Sequence, residues 1–141
     1  MAGEGVTVYG HKVNQLGRRF SKTLNERLTP LGLFTAQWAV VVRLLEGPAT
    51  QTELCQYLCV EAPTMTRTLA RMEQAGWIER HCGADKRERR VALTEKARAM
   101  ADEWMRASDF VEAKAVRGIS ADELAVFSSV IDRMMNNLSE S

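Results

Sequence analysis

Histidine, cysteine and proline are scarce in this chain of 141 residues, which has two, three and three of them, and aromatic residues make up 6%. Neither histidine stands in a nucleophile–base motif, and no glycine-rich phosphate-binding motif is present. We therefore expect no enzyme. The histidines and cysteines also lack the paired spacing of metal ligands, so neither a metal site nor a cofactor is predicted.

Long apolar runs are also lacking, since none could span a bilayer, and no signal peptide is visible, so we expect no membrane partner. An odd number of cysteines without a secretory segment is typical of a reducing compartment, which predicts a cytoplasmic protein. The length predicts one domain. With a formal net charge of +1, positive charge can favour nucleic acid only where it is concentrated locally.

Two short helices are predicted in the middle of the chain. Thr50 and Glu53 have the spacing of a capping box, which predicts a helix start. A second helix is predicted from about Ala62 to Ala75, and Gly76 would end it. Its apolar positions recur every three or four residues and should face a core, and they are Met65, Leu69 and Met72.

The opposite face of this second helix carries hydroxyl and guanidinium groups, from Thr64, Arg67, Thr68 and Arg71. Such groups suit base edges and phosphates. An ordinary solvated helix face is the alternative. The following segment reads as a hairpin, with strands at Trp77–Cys82 and Arg89–Leu93. Residues 62–90 carry seven Lys/Arg against four Asp/Glu, so the predicted helix–helix–hairpin unit is locally basic, as a winged helix that binds DNA would be.

Amphipathic helices are predicted at both ends of the chain, at about 6–28 and 94–139. The helix at 6–28 has an apolar stripe and a basic opposite face. A second capping box, at Ser120 and Glu123, divides the range 94–139 into two helices. Their apolar stripes exceed what a core of about 45 residues can bury. Exposed apolar stripes of this size indicate an interface, and the alternative is that these helices pack only within the monomer.

Three motifs in this region resemble those of the MarR family of bacterial transcriptional regulators. They are Thr64-Met65-Thr66-Arg67, then Gly76-Trp77-Ile78-Glu79-Arg80, then Asp85-Lys86-Arg87-Glu88-Arg89-Arg90 with Leu93-Thr94-Glu95-Lys96-Ala97. The SlyA branch is the nearest match. Similarity to that branch also covers Leu28-x-Pro30-Leu31-x-Leu33 with Trp38, and Gly118-Ile119-Ser120 with Glu123-Leu124.

The resemblance implies a mainly α fold with a small β-hairpin, in a single MarR-type domain over 1–141. A winged helix-turn-helix would occupy about 35–94 between dimerisation helices. It implies a homodimer that binds a pseudo-palindromic operator in double-stranded DNA, acts as a repressor, and is released by a small aromatic or anionic ligand. The family has a capping threonine directly after Leu33, where this chain has Phe34. Either Thr35 takes over the cap or the helix starts differently.

The resemblance also implies which residues contact DNA. Asp85 and Arg87 match the wing pattern that places an arginine in the minor groove. Pro63, Thr64 and Arg67 lie at base-reading positions, and Thr52 and Thr66 are expected at phosphates. The full predicted set is Thr52, Pro63, Thr64, Thr66, Arg67, Arg71, Asp85, Lys86, Arg87 and Arg89.

An effector pocket is expected to use His11, Arg18, Phe20 and Trp38, with a cationic group binding an aromatic acid. The alternative for His11 and Arg18 is an ordinary charged helix face, and Trp38, like Trp77 and Trp104, is expected first of all in the core or at an interface. A thiol sensor that uses Cys55, Cys59 or Cys82 on the same scaffold is an alternative function, although a buried cysteine more often acts as a small apolar residue. A winged helix that contacts proteins and not DNA is the other alternative.

Overall fold

The computed structural model describes residues 7–82 and 88–139, and within them it has six α-helices and three β-strands. They are α1 (Tyr9–Leu28), α2 (Thr35–Leu44), β1 (Ala49–Thr50), α3 (Gln51–Leu58), α4 (Ala62–Ala75), β2 (Ile78–Cys82), β3 (Arg89–Leu93), α5 (Glu95–Ala115) and α6 (Ala121–Ser139). The predicted winged helix-turn-helix, mainly α with a small β-hairpin, is confirmed. Within these residues no helix combines the length and apolarity needed to cross a membrane.

The described residues fall into two compact units, one up to Ser108 and one from Asp109 onward. The first unit holds α1 to α4, the sheet and the beginning of α5. The second holds the end of α5 and α6. The expectation of a single domain over 1–141 stays a prediction.

The α3–α4 pair forms as the capping residues predict. The Thr50 hydroxyl accepts from the Glu53 N–H at 3.1 Å, and the Glu53 carboxylate accepts from the Thr50 N–H at 3.0 Å. Cys59 ends α3 in the left-handed conformation, with φ of 55°. Pro63 lies in the first turn of α4, where no N–H is required, and Gly76 ends the helix with φ of 84°.

The predicted apolar stripe of α4 is buried, since Met65, Leu69 and Met72 are each no more than 1% exposed. They belong to a core that fixes α4 against α2 and α3. Other fully buried side chains in that core are Leu28, Leu33, Val40, Val41, Leu44, Leu54 and Val91. Burial of one face leaves the opposite face of α4 to the solvent.

The sheet has three strands in the order β1–β3–β2, all antiparallel. The predicted hairpin forms, and in it Ile78 pairs with Leu93 and Cys82 with Arg89. The short strand β1 is not among the predicted elements: Ala49 pairs with Val91 and Thr50 with Arg90. The same Thr50 therefore ends a strand and caps α3.

The start of α2 resolves the open question at Phe34. Phe34 occupies the N-cap position, and its N–H donates to Gln37 Oε1 at 3.1 Å. Thr35 is the first residue of the helix and does not cap it. Its N–H donates to Asn25 Oδ1 at 2.8 Å, so a side chain of α1 satisfies the first free donor of α2.

Two tryptophans and a threonine join α5 to the recognition lobe, which is the part of the first unit formed by α2, α3, α4 and the sheet. Trp77 and Trp104 pack edge to face at 4.9 Å, and their indole N–H groups donate to Gly32 O and Leu31 O. Thr94 donates to Gly76 O at 2.6 Å and accepts from the Ala97 N–H at 3.1 Å. The turn before α2, the end of α4 and the start of α5 are thereby held together.

In the second unit, α5 ends at Ala115, two residues before the predicted Arg117, and Gly118 adopts a φ of 81°. The predicted capping box then starts α6, since Ser120 Oγ accepts from the Glu123 N–H at 3.1 Å. No residue of α6 is buried. Its exposed apolar side chains are Val126, Phe127, Val130, Met135 and Leu138.

Candidate nucleic-acid interface

The exposed face of α4 presents the polar groups that the sequence predicts there. Pro63, Thr64, Arg67 and Arg71 are all exposed. Arg67 Nη2 donates to Thr64 Oγ1 at 3.3 Å, one helical turn away. Because this contact is long and solvent-exposed, it leaves the guanidinium able to reorient towards another acceptor.

The same face continues onto the beginning of α2 and forms a shallow depression of about 210 Å³. Its lining residues are Phe34, Ala36 and Gln37 from α2 with Thr64, Arg67, Thr68 and Arg71 from α4. Neither arginine pairs with a carboxylate in the described part of the chain. Two cations without counter-charges make this surface locally positive, which suits a phosphate backbone.

Two threonines predicted at phosphates have different surroundings. Thr52 is exposed in the first turn of α3. The Thr66 hydroxyl instead donates to Ala62 O at 2.9 Å and accepts from Gln51 Nε2 at 2.8 Å. Thr66 thus already uses its only hydroxyl proton within the protein.

The described part of the wing is partly neutralised. Arg89 is exposed, whereas Arg90 Nη2 lies 2.8 Å from Glu88 Oε1, so the Glu88 carboxylate orients Arg90. Glu79 and His81 lie 3.1 Å apart on β2. Asp85, Lys86 and Arg87, which are the predicted wing tip, lie outside the described residues.

A carboxyl group in the first turn of α3 has a lowered pKa. The Thr50 backbone N–H donates to the Glu53 carboxylate and so lowers the pKa of Glu53 from its ordinary value of 4.5, and the charges of Arg90 and Arg43 act in the same direction. Arg43 Nη2 lies 4.0 Å from Glu53 Oε2. Glu53 therefore stays ionised and fixes the start of α3.

The four residues predicted for an effector pocket differ in exposure, and their role as a ligand site stays a prediction. His11 and Arg18 are exposed on α1, Phe20 is half-buried, and Trp38 is 6% exposed in the core. Residues two apart on a helix point about 200° apart, so Arg18 and Phe20 face away from each other. Arg18 instead lies beside Gln15, Arg19 and Lys22 around an open depression of about 420 Å³.

All three cysteines are free thiols, of which Cys59 and Cys82 are exposed and Cys55 is half-buried. Within residues 7–82 and 88–139, no three His, Cys, Asp or Glu side chains are grouped so that they could hold a metal ion. None of the three thiols therefore belongs to a candidate metal site among these residues.

Sequence reasoning missed three polar residues that support the interface. Gln51 contacts Thr66, Gln37 accepts from Phe34, and Asn25 accepts from Thr35. Gln37 follows Phe34 by three residues, which is a capping-box spacing and could have been noticed. The other two contacts join residues on different helices, and no local pattern signals them.

The sequence and the fold were compared with those of known proteins to find the family of this chain. The sequence profile of the MarR family matches residues 31–88, which span α2 to the wing. A crystal structure of the transcriptional regulator PA3341 is 31% identical, covers 95% of this chain and all of its own, and superposes with a TM-score of 0.85. The chain belongs to the MarR family. The predicted family resemblance is therefore confirmed.

Other solved structures and one further relative are also similar to this chain. The crystal structure of SlyA is 26% identical over 95% of this chain and 96% of its own, with a TM-score of 0.87. That of a mutant MarR from E. coli in complex with operator DNA is 26% identical over 89% and 91%, with a TM-score of 0.80. A Bacillus subtilis (strain 168) relative, the uncharacterized HTH-type transcriptional regulator YwoH, is 50% identical over 88 residues. Those residues are 62% of this chain, and the match covers 64% of the relative's length.

Proposed function

We propose that this protein is a sequence-specific DNA-binding transcriptional regulator. The observation that carries the proposal is the exposed face of α4, where Thr64, Arg67 and Arg71 lie together on a helix whose other face is buried. A helix presented in this way fits the major groove, and an arginine can pair bidentately with guanine. The likeness to E. coli MarR, of which a mutant was solved with operator DNA, supports the same conclusion.

The proposed regulator is a homodimer on a pseudo-palindromic operator. Apolar side chains remain exposed along α1, at Tyr9, Val13 and Leu16, and along α6, where Leu138 is 87% exposed. Large apolar side chains exposed along a helix mark an interface. Two-fold symmetry would present two copies of α4 to successive major grooves, about one helical turn apart.

The proposed outcome is repression that a small aromatic or anionic ligand relieves. Support comes from the cationic surface of α1, where Arg18, Arg19 and Lys22 surround an open depression without a carboxylate partner among the described residues. The ligand would act by favouring a form of the dimer in which the spacing of the two α4 helices no longer matches the operator. Phe20 and Trp38 carry no charge, so they would not bind the acid group itself.

The test begins with selection of bound sequences from a random DNA pool, followed by titration of the selected operator. Arg67→Ala should weaken binding by about 1–3 kcal/mol and relax the preference at one base pair in each half-site. Arg106→Ala, which removes the same charge from the exposed surface of α5, is the matched control and should keep that preference. If the pool yields no preferred sequence, or if both variants behave alike, the proposal fails.

The relief of binding is tested separately on the same operator. Small aromatic acids should release the wild-type protein, and Arg18→Ala should need a higher concentration of acid for the same release. An equal response of Arg18→Ala and wild type would exclude the α1 surface as the ligand site while leaving DNA binding intact.

A thiol-sensing regulator remains the second candidate, because Cys59 and Cys82 are exposed and free. Titration of free thiols before and after mild oxidation, with operator binding measured in parallel, separates the two functions. Loss of binding that Cys59→Ser or Cys82→Ser prevents would favour the sensor. Oxidation without any change in binding would exclude it.

A further inference from the structure

One hydrogen bond joins the two helices of the helix-turn-helix through side chains alone. Gln51 Nε2 donates to Thr66 Oγ1 at 2.8 Å, across fifteen residues of sequence. The Thr66 hydroxyl in turn donates to Ala62 O at 2.9 Å in the first turn of α4. Both distances lie within the range of well-formed hydrogen bonds.

The hydrogen-bond capacity of Thr66 determines what this residue can do. A threonine hydroxyl has a single proton, and here that proton goes to the Ala62 carbonyl. Donation to a DNA phosphate would require this bond to break. The geometry therefore favours a role for Thr66 in holding α4 over the phosphate contact that the family resemblance implies.

The backbone of Gln51 is itself firmly held. It directly follows Thr50, which pairs with Arg90 of β3 and forms the capping box with Glu53. The amide of Gln51 thus extends from a point anchored to the sheet. Its contact on α4 lies between Thr64 and Arg67, which are the residues proposed to read bases.

The buried stripe of α4 and the Gln51 contact constrain different motions. Apolar packing of Met65, Leu69 and Met72 is non-directional and fixes how closely α4 approaches the core. A hydrogen bond depends on angle as well as distance, so it restricts rotation of α4 about its axis and sliding along it. These are the motions that would move Thr64 and Arg67 relative to a base pair.

We infer that Gln51 is a positioning residue for DNA recognition, which acts by holding α4 through the Thr66 hydroxyl. The inference rests on the proposed function. Without the pair, α4 samples orientations that do not fit the operator. The apparent affinity then falls by the fraction of molecules that keep the fitting orientation.

The experiment is a double-mutant cycle on the selected operator with Gln51→Ala, Thr66→Val and the double variant. Each single variant should bind about 3- to 10-fold more weakly, the range expected for one hydrogen bond. The double variant should bind about as weakly as the weaker single variant, because either change removes the same contact. A second cycle with Gln51→Ala and Thr68→Val is the control, and its effects should add.

Two further readouts separate positioning from phosphate contact and from mere stability. Discrimination against a core-substituted operator should fall in Thr66→Val, whereas loss of a phosphate contact alone would weaken binding to both operators alike. The unfolding transition should change little, because a threonine bond to the carbonyl four residues earlier slightly destabilises a helix.

Several results would overturn the inference. Additive losses in the Gln51–Thr66 cycle, with equal weakening of Thr66→Val on the selected and the core-substituted operator, would assign Thr66 to a phosphate. Unchanged base discrimination, or equal coupling in the Thr68 control cycle, would also refute it. Failure of the wild-type protein to bind any selected DNA is a different result, since it refutes the proposed function and the inference with it.

Discussion

Replacement of Thr94 with valine removes one hydroxyl at the junction of three elements while keeping the branched shape of the side chain. In the wild type that hydroxyl donates to Gly76 O at 2.6 Å, at the end of α4. It also accepts from the Ala97 N–H at 3.1 Å, as the N-cap of α5. Thr94→Val should therefore lose two interactions at once.

The magnitude follows from the surroundings of each partner. Loss of an N-cap costs about 1 kcal/mol, and a part-buried carbonyl without its donor costs about 1–2 kcal/mol more. Thr94→Val should thus lower the free energy of unfolding by about 2–3 kcal/mol. Thr94→Ser keeps the hydroxyl and should recover most of this loss.

Ser120→Ala is the matched control, because Ser120 also caps a helix but its contacts with Glu123 are exposed. It should cost only the capping contribution, about 1 kcal/mol. The assay is urea unfolding followed by tryptophan fluorescence, since Trp77 lies next to the junction, at one protein concentration throughout. If Thr94→Val unfolds as readily as Ser120→Ala, Gly76 O does not depend on Thr94 and the reasoning is refuted.

Four other predictions use different measurements. Sedimentation at micromolar concentration should give twice the mass of one chain, and a monomer that still binds DNA tightly would contradict the dimer. Operator affinity should fall steeply with salt, with a log–log slope of about −0.9 per phosphate contact, and a flat response would exclude phosphate contacts. Arg87→Ala should weaken binding in proportion to the A·T content of the flanks, and equal binding on every flank would mean that Arg87 does not enter a minor groove. Backbone N–H donors lower the pKa of Glu53 and Glu123 from 4.5, so both carboxylates stabilise the fold above pH 4.5 and lose this contribution as the pH falls through their lowered pKa values. Glu53→Gln and Glu123→Gln should therefore each make the melting temperature depend less on pH in acid. An unchanged dependence would refute this.

Elements whose ends are marked by capping or turn residues could be predicted from the sequence. α4 runs from Ala62 to Ala75 as predicted, because Pro63 suits a first turn, Gly76 suits a left-handed end, and the apolar period between them is regular. The hairpin strand from Arg89 to Leu93 also has its predicted bounds. In these segments the residues near in sequence determine the structure.

Contacts between distant residues could not be predicted. β1 has two residues, too short for an alternating pattern, and exists because β3 offers it hydrogen-bonding partners. The Asn25–Thr35 and Gln51–Thr66 bonds depend on how two helices pack against each other. Sequence periodicity gives the buried face of each helix, whereas the partner of a particular polar side chain depends on the assembled fold.

The predicted site residues also differ in whether a local pattern or the assembled fold determines their positions. Thr64, Arg67 and Arg71 share a face because they lie three and four residues apart on one regular helix. The predicted effector residues lie on two helices, and Trp38 joins the core because α2 turns that side chain inward. The expectation that Trp38, Trp77 and Trp104 are core or interface residues agrees with their burial, since each is no more than 7% exposed.

The junction around Thr94 has a consequence for how a ligand could control DNA binding. Lys96 Nζ donates to Ala75 O at 2.7 Å and lies 4.4 Å from the centre of a Trp77 ring, so the first turn of α5 holds the last turn of α4. Trp104, about two turns further along α5, donates to Leu31 O in front of α2. The beginning of α5 is therefore fixed both to the end of α4 and to the turn before α2. A ligand that tilts this part of α5 in the proposed dimer would move α4 with it. Regulation by a change in the spacing of the two α4 helices of the dimer needs this kind of rigid connection. Regulation by local unfolding of α4 would instead have to break the contacts of Thr94, Lys96 and Trp104 first.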